Sequence, residues 1–365
     1  MDFNGLEFLV VGAGLSGLTV ARKLADRGRK VAVVEKRKEF GGLCSTYLDA
    51  PTGIEVHKFG SHILHSSNHR VIQFLSQFCS LSHYRHRVFS MHEGKVYPLP
   101  VNLDTISRFY NMNFTPSRAR HLLNLATRNE TDLSNFGGAV RARMGASLYQ
   151  AFIEGYTRKH WGVEPDTLPA RYAERVPVRT TYDGDYFTDF WQGLPVNGYQ
   201  WMFLRMAIGL QCSLGVDFTE VRHLCPPNCR VVYTGALDAY FDFKFGRLPW
   251  RSVELAIETH DVGDYQGAAV INFPDEDAPH TRIHEFKHLR PERKQSADKT
   301  IIAAEFVNSV GEPAYPVDPD GEMARAYRQA STLTPNVHFL GRLARYQYLD
   351  MDDAVDQALA LAEKL

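Results

Sequence analysis

Apolar and polar positions change period along this chain, and the first change comes within 20 residues. Phe8–Val11 is an unbroken apolar run, which predicts a strand buried on both faces. Leu18, Ala21, Leu24 and Ala25 then recur on one face of a helix that Gly28 stops. A second run, Val31–Val34, ends in Glu35 and completes a strand–helix–strand unit. Further on, the pattern predicts a helix around Val71–Phe78 and short strands at Val88–Met91 and Lys95–Pro98, joined by a Glu93-Gly94 turn. Residues 102–162 carry few strand signals and read mostly as helices, with Ala142–Gly162 as one longer helix. Residues 175–200 are rich in turns and aromatics. Tyr199–Leu210 reads as a helix and Arg230–Tyr233 as a strand entering Thr234-Gly235. From Trp250 to His288 the segments SVELAIETH, GAAVINF and TRIHEFKHL alternate as antiparallel strands do. Val337–Leu340 is a strand, Gly341 a tight turn, and Ala354, Val355, Ala358, Leu359, Ala362 and Leu365 mark a last helix.

Between the first strand and first helix stand Gly12, Gly14 and Gly17, spaced G-x-G-x-x-G. Gly12 suits the tight turn, Gly14 a close approach of backbone to pyrophosphate, and Gly17 close packing of helix on strand. The helix N-terminus directs N–H groups and its positive dipole end at phosphates. Glu35 falls about where a ribose-binding acid is expected. A bare glycine turn would not account for that acid, so the unit predicts a dinucleotide site. Gly41-Gly42 follows at once, a second close backbone approach that suits a long cofactor such as FAD. Asp350, Asp352 and Asp353 favour a helix start near Met351, and the strand–Gly341–helix order offers a cradle for an isoalloxazine; an ordinary terminal strand–helix unit would look the same. The expected fold is therefore α/β: a Rossmann-like FAD-binding domain (1–80, 199–240, 330–365), a helical insertion (100–170) and a mainly antiparallel sheet domain for substrate (81–99, 171–198, 241–329).

Composition narrows the partners. The 41 Lys and Arg nearly balance the 42 Asp and Glu across 365 residues, so no basic field points to nucleic acid, and an anionic ligand needs locally placed arginines. No apolar run approaches the roughly 20 residues of a membrane span. The first residues lack a signal-peptide pattern, and five scattered cysteines suit a reducing compartment, so a cytoplasmic location is expected. Cys225, Cys229 and His223 have the wrong spacing for a common zinc site, and His57, His62, His65 and His69 read as a loop beside the cofactor; no metal is expected.

Several segments combine arginine with aromatic residues: GYTRKHWG, VPVRTTYDGDYFTDFWQGLP, PHTRIHEFKHL, AYPV and GRLARYQYLDMD. Aromatics give stacking surfaces and arginines grip phosphate bidentately. Core packing for Tyr156 and Trp161, and surface ion pairs for Arg179 and Arg282, remain the alternatives at this stage.

These segments, in this order behind the glycine-rich amino terminus, resemble the UDP-galactopyranose mutase family from Phe8 to the end. The resemblance implies an isomerase that interconverts pyranose and furanose forms of a nucleotide sugar: N5 of reduced FAD attacks the anomeric carbon and displaces the nucleoside diphosphate. It implies a reductant, NAD(P)H or another reducer of flavin, and a homodimer. Residue by residue, it makes Arg179 and Arg282 phosphate-binding and catalytic, with His62 and Asp350. Tyr156 stacks the base, beside Phe152, Thr157 and Trp161. Tyr186, Tyr315 and Tyr348 bind phosphate, and Asn272 and His86 lie near the sugar. Gly41, Gly42, Leu43, His62, Gly341, Arg342, Asp350 and Met351 join the first glycines around the flavin. Four positions depart from the family pattern: Ser61 for Pro, His86 for Asn, His160 for Gln and His280 for Tyr. The phosphate and flavin residues are kept while positions near sugar and base differ, which leaves galactose, an amino sugar or a deoxysugar open. A flavin amine-oxidase-like oxidoreductase and a non-catalytic nucleotide-sugar binder are the other classes to weigh.

Overall fold

The computed structural model describes residues 3–365; residues 1 and 2, at the start of the first expected cofactor-domain segment, lie outside the described residues. Most strands fall into two sheets. The first is parallel and five-stranded, ordered Val337–Phe339, Arg230–Tyr233, Phe8–Val11, Val31–Glu35 and Gln211–Leu214. Phe8–Val11 and Val31–Glu35 are buried throughout, as unbroken apolar runs require. The chain leaves Phe8–Val11 toward one side of the sheet and later returns on the other, at Arg230–Tyr233. That order opens a crevice at the carboxyl ends of the strands, where α/β sheets bind ligands. Helix Leu15–Ala25 covers one face and packs on the last helix, Met351–Lys364.

The second sheet has seven strands, ordered Tyr315–Pro316, Trp250–His260, Thr300–Asn308, Arg282–Glu285, Val270–Asn272, Val88–His92 and Lys95–Leu99. All its neighbours are antiparallel except Val270–Asn272 against Val88–His92. The architecture is α/β, a Rossmann-like unit with helices and a mainly antiparallel sheet, as the sequence predicts. One core runs from helix Leu15–Ala25 through the helical segment to the second sheet.

Two expected elements are corrected. Helix Ala142–Gly162 is broken at Gly145, whose φ of +80° is left-handed; Phe136–Met144 ends there, and a new helical run from Ala146 reaches Trp161 through a wide turn at Gln150–Glu154. TRIHEFKHL is a strand only over Arg282–Glu285 and then turns into a short 3₁₀ segment, Phe286–Leu289. The hairpin Thr46–Asp49 with Ile54–His57, the strand Thr300–Asn308 and the helix Glu322–Thr332 lie outside the sequence expectations.

Candidate active site

A cavity of about 920 Å³ opens along the carboxyl ends of the parallel strands. Its floor is backbone. Gly12 has φ +104°, and a Cβ there would meet Thr234 Oγ1 at 2.1 Å; a Cβ on Gly17 would meet the Gly12 carbonyl at 1.9 Å. Gly14 forms a bridge with Gly41, and a Cβ on Gly42 would come within 3.2 Å of Gly14 Cα. The two glycine loops thus touch and leave no side chain between them and the cavity. Helix Leu15–Ala25 starts at Gly14 without a side-chain cap, so its first N–H groups remain for a ligand. Glu35 lines the same space; its carboxylate accepts from Ala13 N–H at 2.8 Å and Arg37 N–H at 2.9 Å. Leu43, Gly341, Arg342, Asp350 and Met351 complete the wall, so every residue expected at a dinucleotide lines one cavity. A narrow backbone cradle and an uncapped helix N-terminus fit a pyrophosphate-bridged dinucleotide.

His62 faces this cavity. Its Nδ1 lies 2.8 Å from the Gly60 carbonyl and therefore carries the hydrogen, which leaves Nε2 an acceptor. Burial, then the Arg342 charge, pushes its pKa down to about 4, so the ring is neutral at pH 7. Trp161 also lines the cavity and packs against Tyr315 and Tyr348, with ring centroids 5.5 and 5.3 Å away. Arg342 lies 5.1 Å over the Tyr348 ring.

Beyond that seam the second sheet presents a cluster of one arginine, its paired carboxylate and several phenols. Register places Asn272, Arg282 and Glu305 side by side on three adjacent strands. Arg282 Nε lies 3.0 Å from Glu305 Oε1, Nη2 donates to the Tyr156 hydroxyl, and the guanidinium sits 5.5 Å over the Tyr156 ring. Burial works against the Arg282 charge, but Glu305 and the phenols of Tyr156, Tyr186 and Tyr348 outweigh it and hold its pKa above the ordinary value. Burial likewise works toward protonating Glu305, yet Arg282 and His284 keep it well below the usual carboxylate range. Burial raises the pKa of Tyr156, Tyr186 and Tyr315, so each stays protonated; the Tyr315 hydroxyl already donates to the His160 carbonyl at 2.9 Å. His86 joins this group, its ring 5.4 Å from Tyr186, its Nδ1 2.9 Å from the Tyr84 hydroxyl and its pKa pushed down to about 3 by burial. Asn272 Oδ1 is buried with no hydrogen-bond partner among the described residues.

Not all expected residues gather here. Arg179 donates to the carbonyls of Asp183 and Asp185 and pairs with the Asp183 carboxylate, within its own loop. Phe152 is buried against Tyr97 and Phe109, and Thr157 is buried in its helix. Three residues the sequence reading passed over hold the site together. Arg175 makes two hydrogen bonds to Asp350 and lies 4.6 Å over Tyr348. Glu305 anchors Arg282; a lone acid within the apolar run IIAAEFV was its available signal. Lys159 donates to the carbonyls of Phe273, Asp275, Ala278 and His280, pinning that loop to the helix that bears Tyr156.

Residues 151–348 match the family model described as UDP-galactopyranose mutase, and residues 10–78 that of an NAD(P)-binding Rossmann-like domain. A Klebsiella pneumoniae protein named "Probable UDP-galactopyranose mutase" is 35% identical over 99% of this chain and 95% of its own. The dTDP-fucopyranose mutase of Escherichia coli is 34% identical over 98% of this chain and 97% of its own. A crystal structure of reduced UDP-galactopyranose mutase superposes with a TM-score of 0.75 at 14% identity, covering 98% of this chain and 93% of that one. A putrescine oxidase variant superposes at 0.56 and 15% identity, over 98% of each chain. At such identities the solved structures show a shared fold and nothing further.

Proposed function

The chain belongs to the UDP-galactopyranose mutase family, and within it we propose an FAD-dependent isomerase that interconverts pyranose and furanose forms of a nucleotide sugar. One observation carries the reading: the glycine-floored cavity meets the Arg282–Tyr156–Tyr186–Tyr348 cluster at Trp161, Arg342 and Asp350. One side of that seam fits a long flat cofactor, the other a diphosphate next to an aromatic surface. We assign residues 1–80, 199–240 and 330–365 to the cofactor domain, 100–170 to a helical domain, and 81–99, 171–198 and 241–329 to the substrate domain.

When bound and reduced, FAD supplies the electron pair that takes the place of the diphosphate on the anomeric carbon. The chain's own residues do the rest. Arg282, held from behind by Glu305, offers its outer N–H groups to the diphosphate as charge grows on the leaving oxygen. Tyr156, Tyr186 and Tyr348 donate hydroxyls to the same oxygens, Tyr315 joins them once its hydroxyl leaves the His160 carbonyl, and the Tyr156 face stacks the base. Asn272 turns its unpaired oxygen to a sugar hydroxyl, in an environment completed by His86. Neutral His62 presents Nε2 as an acceptor on the cavity wall. Arg175 and Arg342 flank Tyr348, and Arg179 is a second phosphate cation once released from its loop carbonyls. NAD(P)H or another flavin reductant, a homodimeric assembly and a cytoplasmic setting complete the proposal; among the described residues no helix is long and apolar enough to cross a membrane.

The test is product analysis. Protein reduced with dithionite and supplied with UDP-galactopyranose or a dTDP-linked 6-deoxyhexose should give the furanose form without consuming reductant. Flavin-loaded, reduced protein that exchanges no ring forms across both nucleotide classes would overturn the reading. Stoichiometric oxidation of a substrate would favour an oxidase instead.

A further inference from the structure

Behind Arg282 runs a buried chain of hydrogen bonds that reaches the cavity wall. Ser61 Oγ lies 2.7 Å from His284 Nδ1, and His284 Nε2 lies 3.0 Å from Glu305 Oε2. The other Glu305 oxygen accepts the Thr281 hydroxyl at 2.9 Å and is ion-paired with Arg282, whose Nε lies 3.0 Å away outside hydrogen-bonding geometry. His284 is fully buried and Glu305 nearly so. The loop carrying Ser61 presses on this carboxylate: a Cβ on Gly60 would stand 3.1 Å from Glu305 Oε2. On its other side the same loop presents His62 to the cavity.

We propose that Ser61 is a positioning residue that fixes His284 as the Nε2–H tautomer, so that Glu305 holds Arg282 in place with its charge undivided. An ionised carboxylate only accepts, so His284 Nε2 must carry the hydrogen toward Glu305. A fully enclosed ring beside the Arg282 cation is neutral, and burial lowers its pKa accordingly. Nδ1 is then bare, and the Ser61 hydroxyl is the donor that satisfies it. A second cation at His284 would compete with Arg282 for the same carboxylate. Among the described residues, His57, His62, His86, Arg282 and Glu305 are charged or titratable groups within electrostatic range of the ring.

The consequence for ligand binding rests on the reading of Arg282 as a diphosphate cation, and the experiment separates the two. Oxidised, flavin-loaded protein with ¹⁵N-labelled histidine would be titrated by NMR as wild type, Ser61→Ala and Ser61→Thr, with His284 assigned by its loss in His284→Gln. UDP affinity would be measured on the same samples from pH 5.5 to 8. Expected is a bare Nδ1 in wild type that stays unprotonated throughout. Removing a hydrogen bond to the neutral ring favours the charged form, so Ser61→Ala should raise the His284 pKa by about one pH unit. Wild-type affinity follows the titration of the terminal UDP phosphate itself; Ser61→Ala should depart from that profile across the His284 titration, while Ser61→Thr follows it. Identical His284 titrations in wild type and Ser61→Ala would overturn the proposal, as would a shifted titration with UDP affinity unmoved. Wild type that binds no UDP would instead overturn the functional reading, leaving the imidazole signals to decide the role of Ser61.

Discussion

Arg175 and Asp350 share two hydrogen bonds, of 2.9 and 2.8 Å, at the point where the last helix begins. Both side chains are over one-third exposed, at 40% and 34%, so the pair itself is worth about 1 kcal/mol or less. Its position over Tyr348 matters more. Arg175→Ala should leave urea unfolding within about 1 kcal/mol of wild type yet raise the KM for a nucleotide sugar about tenfold by removing a guanidinium beside Tyr348, proposed above to bind phosphate. An unchanged KM would reduce the pair to a helix cap.

Gly17→Ala puts a methyl 1.9 Å from the Gly12 carbonyl, a clash that only displacement of the first turn can relieve. Purified Gly17→Ala protein should carry no flavin and take up none on reconstitution. Gly28 is the control: its φ is positive, at +76°, which that of Gly17 is not, but a Cβ there meets nothing within 4 Å. Gly28→Ala should cost only about 1 kcal/mol of strain and retain flavin normally. Equal flavin content in both variants would remove the first turn from the cofactor site.

Arg282→Ala leaves the buried Glu305 carboxylate facing His284 without its cation. The expected cost is about 3 kcal/mol of stability, together with a fall in kcat of about 10²–10³. Adding Glu305→Gln should recover most of the stability and none of the rate. Recovery of both in the double variant would mean that Arg282 serves the fold alone.

Glu285, on the opposite face of the same strand, accepts hydrogen bonds from Tyr265 N–H, Gln266 N–H and the Thr300 hydroxyl at 2.9, 2.8 and 2.7 Å. Burial works to raise its pKa, but His288, Thr300 and the two N–H groups push it down to about 2. A carboxyl depressed on folding stabilises fully above its unfolded pKa and loses that contribution as pH falls through the folded value. The window therefore runs from about pH 5 down to pH 2. Glu285→Gln should cost about 3 kcal/mol at pH 7 and progressively less toward pH 2. Denaturant midpoints across that range would show the convergence; a constant gap would refute it.

The first strand–helix–strand unit was legible because local chemistry fixes it: apolar runs, glycines at set spacing and an acid at the strand end. The hairpin at Val88–Leu99 and the last helix were read for the same reason. Thr300–Asn308 was missed because IIAAEFVN lacks alternation over its first half, buried on both faces. The break at Gly145 depends on Ala126, which crowds it from another helix and which no local window contains. At the site, Gly12, Gly14, Gly17, Glu35, Gly41 and Gly42 announced themselves through motif spacing, while Leu43, Arg342 and Met351 came only with the family resemblance. Arg175 and Glu305 did not, since their importance comes from partners 175 and 23 positions away.

Lys159 ties the strand-to-strand loop around Asp275 to the helix of Tyr156 through four carbonyl groups. Tyr156 and Asn272 are therefore mounted on a common bracket, and neither wall drifts without the other. On the proposed roles of Asn272 at the sugar and Tyr156 at the base, a lineage that swaps its sugar by reshaping the Asn272 end inherits a nudge at the Tyr156 end, so changes of hexose and of nucleotide are expected to travel together through descent.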